Sequence, residues 1–273
     1  MNKRETQALL EQFAIRPQHR LGQNFLVDDN LTQRILDAAQ VSEQDLAIEI
    51  GPGLGALSRP LSQRAGKLVA VEIDPRLIAP LQQVLGDAPN SQIVEADAQA
   101  IDFSRLEPDW PGETVVLANL PYYITTPIIE KLVCERPQAR QFVFMVQKEA
   151  AERLLAQPGS KLYGPTAVLL AWHGPAQRLF PLLPQSFWPK PHVDSVVISI
   201  GRKQNADPET AQQRKHWLRF LNNCFRQRRK TLGNNLENIG PILEQLGLPS
   251  KVRAEQMSLE QFRQIYDLLQ SST

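Results

Sequence analysis

The sequence contains very little cysteine, and no cysteine pair has a spacing that binds metal or forms a redox motif. Cys134 and Cys224 stand far apart in a chain of 273 residues, and neither belongs to a CxxC motif. A disulfide framework and a zinc-finger site are therefore not expected. The four histidines show no metal-ligand spacing either, so we predict no metal site.

Long apolar runs are also missing from the sequence. The longest, LVAVEI, FVFMV and AVLLAW, are far shorter than the roughly 18 residues that a membrane-spanning helix requires. The N-terminal stretch MNKRETQALLEQF is polar and charged and lacks the apolar segment of a signal peptide. We therefore expect a soluble, cytoplasmic protein that does not bind membranes.

Neither sign of charge is in large excess. The formal net charge is +1 and the isoelectric point is about 7.8, so any surface that binds a polyanion must be local. Hydrophobic residues make up 42% of the chain, which is enough for a normal core. The length fits one large domain or two of ordinary size.

The sequence does contain a regular alternation of strand and helix patterns. Short apolar runs predict strands at 46–50, 67–74, 91–97, 114–119 and 141–147, with helix patterns between them. This alternation is typical of a parallel sheet with helices on both faces. Two further strands are predicted within AQRLFPLLP and VDSVVISI, on either side of a proline-rich loop.

Both ends of the chain depart from this alternation. Residues 1–27 are read as an arm that carries the segment LGQNFL, and a helix is expected after the arm, to about Gln40. From about Asp207 onward the sequence predicts only helices, and KQNADP has the composition of a linker. We therefore predict an α/β domain at 1–205 and a small helical domain at 206–273.

A glycine-rich loop, EIGPGLG at 49–55, follows the first strand and opens a helix. Gly51 and Gly53 let the backbone turn tightly and approach a ligand closely. Dinucleotide sites use the spacing G-x-G-x-x-G, whereas this loop reads G-x-G-x-G with Pro52 inside it. We interpret it as a site for an adenosyl ligand that has no phosphate to bind.

Acidic residues end the next two predicted strands. Glu72 stands about twenty residues beyond the glycine-rich loop, where a carboxylate can accept both ribose hydroxyls. Asp97 could accept a hydrogen bond from an adenine amino group. Each has an ordinary alternative, a solvated strand-end acid for Glu72 and a turn cap for Asp97. Because all three features fall at the carboxyl ends of parallel strands, where such sheets bind ligands, the predicted cofactor is S-adenosylmethionine.

The motif NLPY at 119–122 ends the fourth predicted strand. The side-chain oxygen of Asn119 and a backbone carbonyl of Leu120 or Pro121 could accept both hydrogens of an exocyclic adenine amine. Proline fixes the backbone there and adds no competing N–H, and Tyr122 could stack on the base. The alternative is a strand that ends in an Asx-type turn with the tyrosine in the core.

These motifs together resemble the ribosomal RNA adenine N6,N6-dimethyltransferases, and most closely their small-subunit (16S) branch. The resemblance covers nearly the whole chain and rests on LGQNFL, EIGPGLGALS, VEID, EADA, NLPYYITTP, QKEAAERL, FWPKPHVDS and FRQRRKTLGNNL. It implies a doubly wound, mostly parallel seven-stranded methyltransferase sheet with a small helical C-terminal domain. It also implies that the enzyme dimethylates two neighbouring adenines in a hairpin loop near the 3′ end of 16S rRNA.

The resemblance also implies which residues form the site. Around S-adenosylmethionine it places Asn24, Leu26, Gly51, Gly53, Glu72, Asp97 and Asn119. At the target base it places Asn119, Leu120, Pro121 and Tyr122, with Phe187 as a second aromatic wall opposite Tyr122. From the residues alone, Phe187 would be read as part of the core.

Basic residues concentrate in RQRRK at 226–230. Such a cluster is either a solvated helix face or a phosphate-binding surface, and an adjacent adenine pocket favours the second reading. The candidate RNA-binding residues are Arg226, Arg228, Arg229 and Lys230. Relatives often carry a lysine-rich stretch before LGQNFL, whereas this chain has RPQHR.

Other functions remain open at the level of the sequence. A large-subunit adenine dimethylase would share the chemistry, but it more closely matches NIPY and lacks QRRKTLGNNL. A non-catalytic nucleic-acid-binding relative is a further alternative, and the loop spacing disfavours an NAD oxidoreductase. The implied partners are 16S rRNA and an immature small subunit, and we expect a monomer.

Overall fold

The computed structural model describes residues 1–121, 124–204 and 209–271. The strands in this part of the chain are β1 (Phe25–Leu26), β2 (Leu46–Ile50), β3 (Lys67–Glu72), β4 (Ser91–Glu95), β5 (Thr114–Asn119), β6 (Gln141–Gln147), β7 (Ala176–Leu182), β8 (Phe187–Trp188) and β9 (Ser195–Gly201). The α-helices are α1 (Lys3–Gln12), α2 (Asp29–Ala39), α3 (Ser58–Arg64), α4 (Pro75–Leu85), α5 (Thr125–Glu135), α6 (Lys148–Leu154), α7 (Pro165–His173), α8 (Ala211–Cys224), α9 (Leu232–Asn235), α10 (Gly240–Gln245) and α11 (Leu259–Ser271).

Seven of these strands form one sheet in the order β4-β3-β2-β5-β6-β9-β7. The first five are parallel, and β9 lies antiparallel between β6 and β7. The predicted seven-stranded, mostly parallel sheet is thus confirmed. Because β4 ends at Glu95 and β3 at Glu72, Asp97 lies in the loop after its strand and Glu72 is the last residue of its own.

Side chains alternate between the two faces of each strand, as the period of two requires. Leu46, Ile48 and Ile50 of β2 enter the core on the face covered by α5 and α7, whereas Ala47 enters the core beneath α2 and α3. By the same alternation, the side chains at 49, 72 and 119 belong to the α2 and α3 face. The sheet therefore brings three polar side chains to one face of its carboxyl edge.

The arm contains a helix, α1, that the sequence analysis did not predict. Asn2 caps it in a capping box with Glu5, and Thr6, Leu9 and Leu10 are buried. The rest of the arm, residues 13–27, is called the crossing segment below. It includes β1, which pairs antiparallel with β8 in the register Phe25↔Trp188 and Leu26↔Phe187.

The C-terminal region is helical from α8 to α11, as predicted. Trp217, Leu221 and Phe262 belong to the same hydrophobic cluster as Ile128 and Leu169 of the α/β region, so one core continues from the sheet into these helices. The predicted boundary between 205 and 206 lies outside the described residues and stays a prediction. Among the described helices, none is long and apolar enough to cross a membrane.

Candidate active site

A cleft with two lobes lies over the carboxyl ends of the parallel strands. The first lobe has about 750 Å³ of empty space, open solvent included, and the second about 460 Å³. Leu21, Gly51, Ile73 and Pro121 line both lobes, which therefore form one continuous cleft.

The glycine-rich loop forms the floor of the first lobe. Gly51 and Gly53 both have positive φ angles, 68° and 59°, which favour glycine. A Cβ atom on Gly53 would lie 3.0 Å from the ring of Phe25 in the crossing segment. The loop is therefore in direct contact with the arm as well as with the cleft.

Glu72 lines the first lobe and is only 4% exposed. Its Oε2 accepts the backbone N–H of Gly53 at 3.0 Å, and its Oε1 accepts that of Asp74 at 2.9 Å. Burial raises the pKa of this carboxyl, and the two backbone N–H groups oppose that rise. Since a carboxylate oxygen has two lone pairs, each oxygen can still accept a ribose hydroxyl.

Glu49 is a second buried carboxyl in the first lobe, and the sequence analysis did not single it out. It accepts a hydrogen bond from the Ser58 hydroxyl at 2.6 Å. Burial raises its pKa to about 7, and the charge on Glu72 adds to the rise. Strand alternation could have revealed it, because Glu49 follows Ala47 on the face that Glu72 also occupies.

Asn119 ends β5 at the edge of the first lobe. Its Nδ2 donates to the carbonyl of Asn24 at 3.0 Å, so the arm fixes the orientation of the amide. Oδ1 receives no hydrogen bond from any described residue. An acceptor is therefore held ready at the carboxyl end of β5.

The turn after Asn119 is held from both sides. The N–H of Leu120 donates to the carbonyl of Met145 at 3.2 Å, and the Leu120 side chain is buried in the core. The Pro121 carbonyl accepts the N–H of Ile124 and the hydroxyl of Thr125. Of the two candidate carbonyls, that of Leu120 accepts no hydrogen bond from a described residue. Tyr122 lies outside the described residues.

Asp97 lines the second lobe and not the first. Its carboxylate accepts the backbone N–H of Gln99 at 2.8 Å, as a turn cap does. Apolar side chains surround it in this lobe, among them Ile124 and Ile128. A flat base could occupy such a surface with its amino group near the carboxylate.

Leu26 and Phe187 lie side by side because β1 pairs with β8. Leu26 lines the first lobe, as does Asn24. The ring of Phe187 is 5% exposed and packs in the hydrophobic cluster beneath α2 and α3. The interpretation of Phe187 as a core residue therefore agrees with its packing. Its role as an aromatic wall for the target base stays a prediction.

The candidate RNA-binding residues occupy an exposed turn that follows α8. Arg226, Arg229 and Lys230 are exposed and form no ion pair with a described residue. Arg228 differs, because it donates to the Lys161 carbonyl at 2.8 Å and lies 3.7 Å from Glu255.

Buried Asn235 fixes the shape of this turn. Its Nδ2 donates to the carbonyls of Cys224 and Gln227, and its Oδ1 accepts the N–H of Gln227. The basic residues therefore project from a backbone that is already ordered.

The sheet, the glycine-rich loop, the carboxylate that ends β3 and the carboxylate that follows β4 have the arrangement of a Rossmann-like, S-adenosylmethionine-dependent methyltransferase. The described residues of the cleft include carboxylate and amide oxygens that could accept hydrogen bonds from an adenosyl group. Residues 15–271 match the family model described as ribosomal RNA adenine dimethylase. The chain belongs to this family, which confirms the resemblance and makes it a methyltransferase that acts on ribosomal RNA.

Individual relatives agree with this assignment. The chain is 36% identical to the "Ribosomal RNA small subunit methyltransferase A" of Natranaerobius thermophilus, over 97% of this chain and 96% of the relative. It is 38% identical to the protein of the same name from a Geobacillus species, with the same coverage.

Solved structures share the fold. A dimethyladenosine transferase from Plasmodium falciparum superposes with a TM-score of 0.75 at 24% identity, over 90% of this chain and 98% of the other. The 23S rRNA methyltransferase ErmE superposes with a TM-score of 0.65 at 24% identity, over 90% of this chain and all of the other. At this identity the two structures bear on the fold alone.

Proposed function

We propose that this enzyme dimethylates N6 of two adjacent adenines in a hairpin loop near the 3′ end of 16S rRNA, on an immature small subunit. Support for the small subunit comes from the relatives, which share more than a third of their residues with this chain over nearly its full length. A ribosomal substrate of this kind implies action in the cytoplasm, and we propose that the enzyme acts as a monomer.

The fixed orientation of the Asn119 amide is the observation that most directly supports the proposed methyl transfer. The nitrogen of an adenine amino group is a poor nucleophile, because its lone pair is delocalised into the ring. Oδ1 is the atom of the Asn119 amide that can accept an N–H of the base, and the hydrogen bond from Nδ2 to the Asn24 carbonyl fixes its orientation. Accepting that hydrogen draws the nitrogen toward tetrahedral geometry and makes its lone pair available.

A second acceptor for the same amine is the Leu120 carbonyl. The Pro121 carbonyl already accepts hydrogen bonds from the N–H of Ile124 and the hydroxyl of Thr125, so it is the weaker candidate. S-adenosylmethionine supplies a methyl group on a positively charged sulfonium, which makes the cofactor the electrophile. No general base is needed beforehand, since the nitrogen loses its proton readily once it has been alkylated.

The residues that would hold S-adenosylmethionine fall into three groups. Glu72 would accept the ribose hydroxyls, and Asp97 the adenine amino group in the second lobe. Gly51 and Gly53 would contribute close backbone contact. Asn24, Leu26 and Asn119 line the same lobe as Glu72 and would surround the part of the cofactor nearest the base.

The helical region, 206–273, is proposed as the domain that binds RNA phosphates. Arg226, Arg229 and Lys230 are exposed cations on an ordered turn, which suits phosphate contacts. Arg228 is in part committed to the α/β region through Lys161. We therefore expect the other three to carry most of the phosphate binding.

The experiment that tests this function uses purified enzyme with small and large ribosomal subunits that lack adenine dimethylation. Mass spectrometry of the RNA should find N6,N6-dimethyladenosine in two adjacent positions of the small subunit only. Asn119→Ala should slow methylation at least about 10²-fold, by analogy with the loss of one preorganised polar contact. Asn30→Ala, on an exposed part of α2, is the control, and S-adenosylmethionine affinity is measured for both variants.

Two results would contradict the proposal. Methylation of the large subunit alone would move the enzyme to the macrolide-resistance type of dimethylase. Near-normal turnover by Asn119→Ala would remove the acceptor role from that residue.

A further inference from the structure

Asp74, which follows β3, is a buried point of attachment for the arm. It is 2% exposed, and its own N–H donates to Glu72 at 2.9 Å. Its carboxylate accepts two hydrogen bonds from the guanidinium of Arg76, at 2.9 and 2.6 Å. This arginine is the main reason that the pKa of Asp74 lies below its usual value, so the carboxylate is held in its charged form.

Gln23 and Arg76 connect this carboxylate to the crossing segment. Nε2 of Gln23 donates to Asp74 at 2.7 Å, and Oε1 of Gln23 accepts the N–H of Gln18 at 2.8 Å. A third nitrogen of the Arg76 guanidinium donates to the carbonyl of Arg16 at 3.4 Å. The three side chains of Gln23, Asp74 and Arg76 are called the arm anchor.

The crossing segment that the anchor holds forms one wall of the first lobe, from Leu21 to Leu26. It packs closely on both motifs of the site. A Cβ atom on Gly22 would lie 2.9 Å from the side chain of Pro121, and the ring of Phe25 lies against Gly53. A ligand that fills this lobe is therefore enclosed by the segment.

The far end of the segment is fixed separately, by the pairing of β1 with β8. Between these two attachments lies Asn24, whose carbonyl orients the Asn119 amide. We propose that Gln23, Asp74 and Arg76 are positioning residues that hold the crossing segment across the cleft, and that they thereby set how tightly and how long S-adenosylmethionine is bound.

Arg76 gives the cleanest test, because it lines neither lobe of the cleft and its side chain is 38% exposed. Arg76→Gln should weaken S-adenosylmethionine binding about tenfold, the effect of losing a charge-assisted hydrogen-bond set. The matched control is Arg64→Gln, because Arg64 is a similarly exposed arginine, at 34%, and its ion pair with the exposed Asp37 joins α3 to α2 away from the arm. Calorimetry gives the affinity, and stopped-flow mixing gives the dissociation rate, which should rise by the same factor.

A double-mutant cycle separates anchoring from direct contact with the cofactor. Gln23 lines the cleft, so Gln23→Ala alone could weaken binding for either reason. If Gln23 acts through Asp74, its effect should largely disappear in the Asp74→Ala background, which has no side-chain acceptor. If Gln23 touches the cofactor, the loss should be equal in both backgrounds.

Hydrogen exchange supplies a readout that general destabilisation does not produce. In the free Arg76→Gln enzyme, the amides of 18–26 should exchange at least about fivefold faster, whereas those of β2 and β5 should be unchanged. The inference is overturned if Arg76→Gln matches the Arg64→Gln control in affinity, dissociation rate and exchange. It rests on S-adenosylmethionine as the cofactor, so a wild-type enzyme without affinity for that compound would refute the function and not the anchor.

Discussion

At the scale of single residues, the cleft wall contains two buried carboxyls with different surroundings. Glu72 receives two backbone N–H groups, which favour its charged form. Glu49 receives one hydroxyl, from Ser58, and is buried at 2% exposure. Glu72 is therefore the better hydrogen-bond acceptor for a ribose, and Glu49 is the group that titrates near neutral pH.

The raised pKa of Glu49 predicts how stability depends on pH. Between the ordinary glutamate pKa of 4.5 and the value of about 7 in the folded protein, the folded state holds a proton that the unfolded state has released. The free energy of unfolding must then fall as pH rises through this window, by about 3 kcal/mol from this one group. Glu49→Gln should remove that share of the decline, as measured by denaturant unfolding at several pH values.

The control for this measurement is Glu152→Gln, an exposed carboxyl on α6. It should leave the pH dependence as in the wild type. A Glu49→Gln enzyme that loses stability between about pH 5 and about 7.5 as steeply as the wild type would show that Glu49 is already ionised in the folded protein.

At the scale of elements, neighbouring arginines in the turn after α8 have different surroundings. Arg228 joins the turn to the α/β region through Lys161 and Glu255. Arg226 and Arg229 point to no such partner among the described residues. Position within the turn, and not charge alone, therefore separates the arginine that packs against the α/β region from the residues proposed to bind RNA.

This division predicts that two sets of substitutions have different effects. Replacing Arg226, Arg229 and Lys230 with glutamine should flatten the log-log dependence of RNA affinity on salt, by roughly 0.7–0.9 for each phosphate that the variant no longer neutralises. Arg228→Gln should change the slope less and lower thermal stability instead, by about 1 kcal/mol or less, because its ion pair is partly exposed. Filter binding at several salt concentrations and thermal unfolding distinguish the two. A triple variant with the wild-type slope would show that RNA is held elsewhere.

The elements also show what the sequence could and could not predict. Strands β2, β3, β5 and β6 were predictable, because buried parallel strands are short apolar runs between turn signals. Helix α1 was missed because its apolar side is only Leu9 and Leu10 in a charged stretch, although the pair Asn2 and Glu5 is a recognisable capping box.

Contacts between distant parts of the chain were beyond reach of the sequence. No local pattern pairs Gln23 with Asp74, or Arg228 with Lys161, because those pairs depend on where the fold brings loops together. The glycine-rich loop and NLPY could be found because their residue types are rare in that order. Glu49 could have been found by counting alternate positions along β2.

At the scale of the whole molecule, the C-terminal helices share the core of the α/β region. The rings of Trp172 on α7 and Trp217 on α8 lie 4.5 Å apart. The Glu135 carboxylate of α5 forms ion pairs with Lys131, at 2.8 Å, and with Lys215 of α8, at 2.9 Å. The two regions therefore bury apolar and charged groups against one another.

This shared core predicts that both regions unfold together. Scanning calorimetry of the full chain should give one transition, with equal calorimetric and van't Hoff enthalpies. S-adenosylmethionine at about 100 times its dissociation constant should stabilise the whole protein by about 2.7 kcal/mol. Two resolved transitions, of which the ligand shifts only one, would show that the helical region is an independent folding unit.

The pairing of β1 with β8 has a consequence for how the protein is made. Ser186 and Asp28, which are hydrogen-bonded beside this pairing, are separated by 158 residues. Contacts between such distant residues form late, because a long loop must close before they can be made. During synthesis from the N-terminus, the glycine-rich loop and NLPY are complete long before β8 emerges. The five parallel strands, β2 to β6, are therefore synthesised before β8, and β1 can complete its side of the cleft only once β8 has been made.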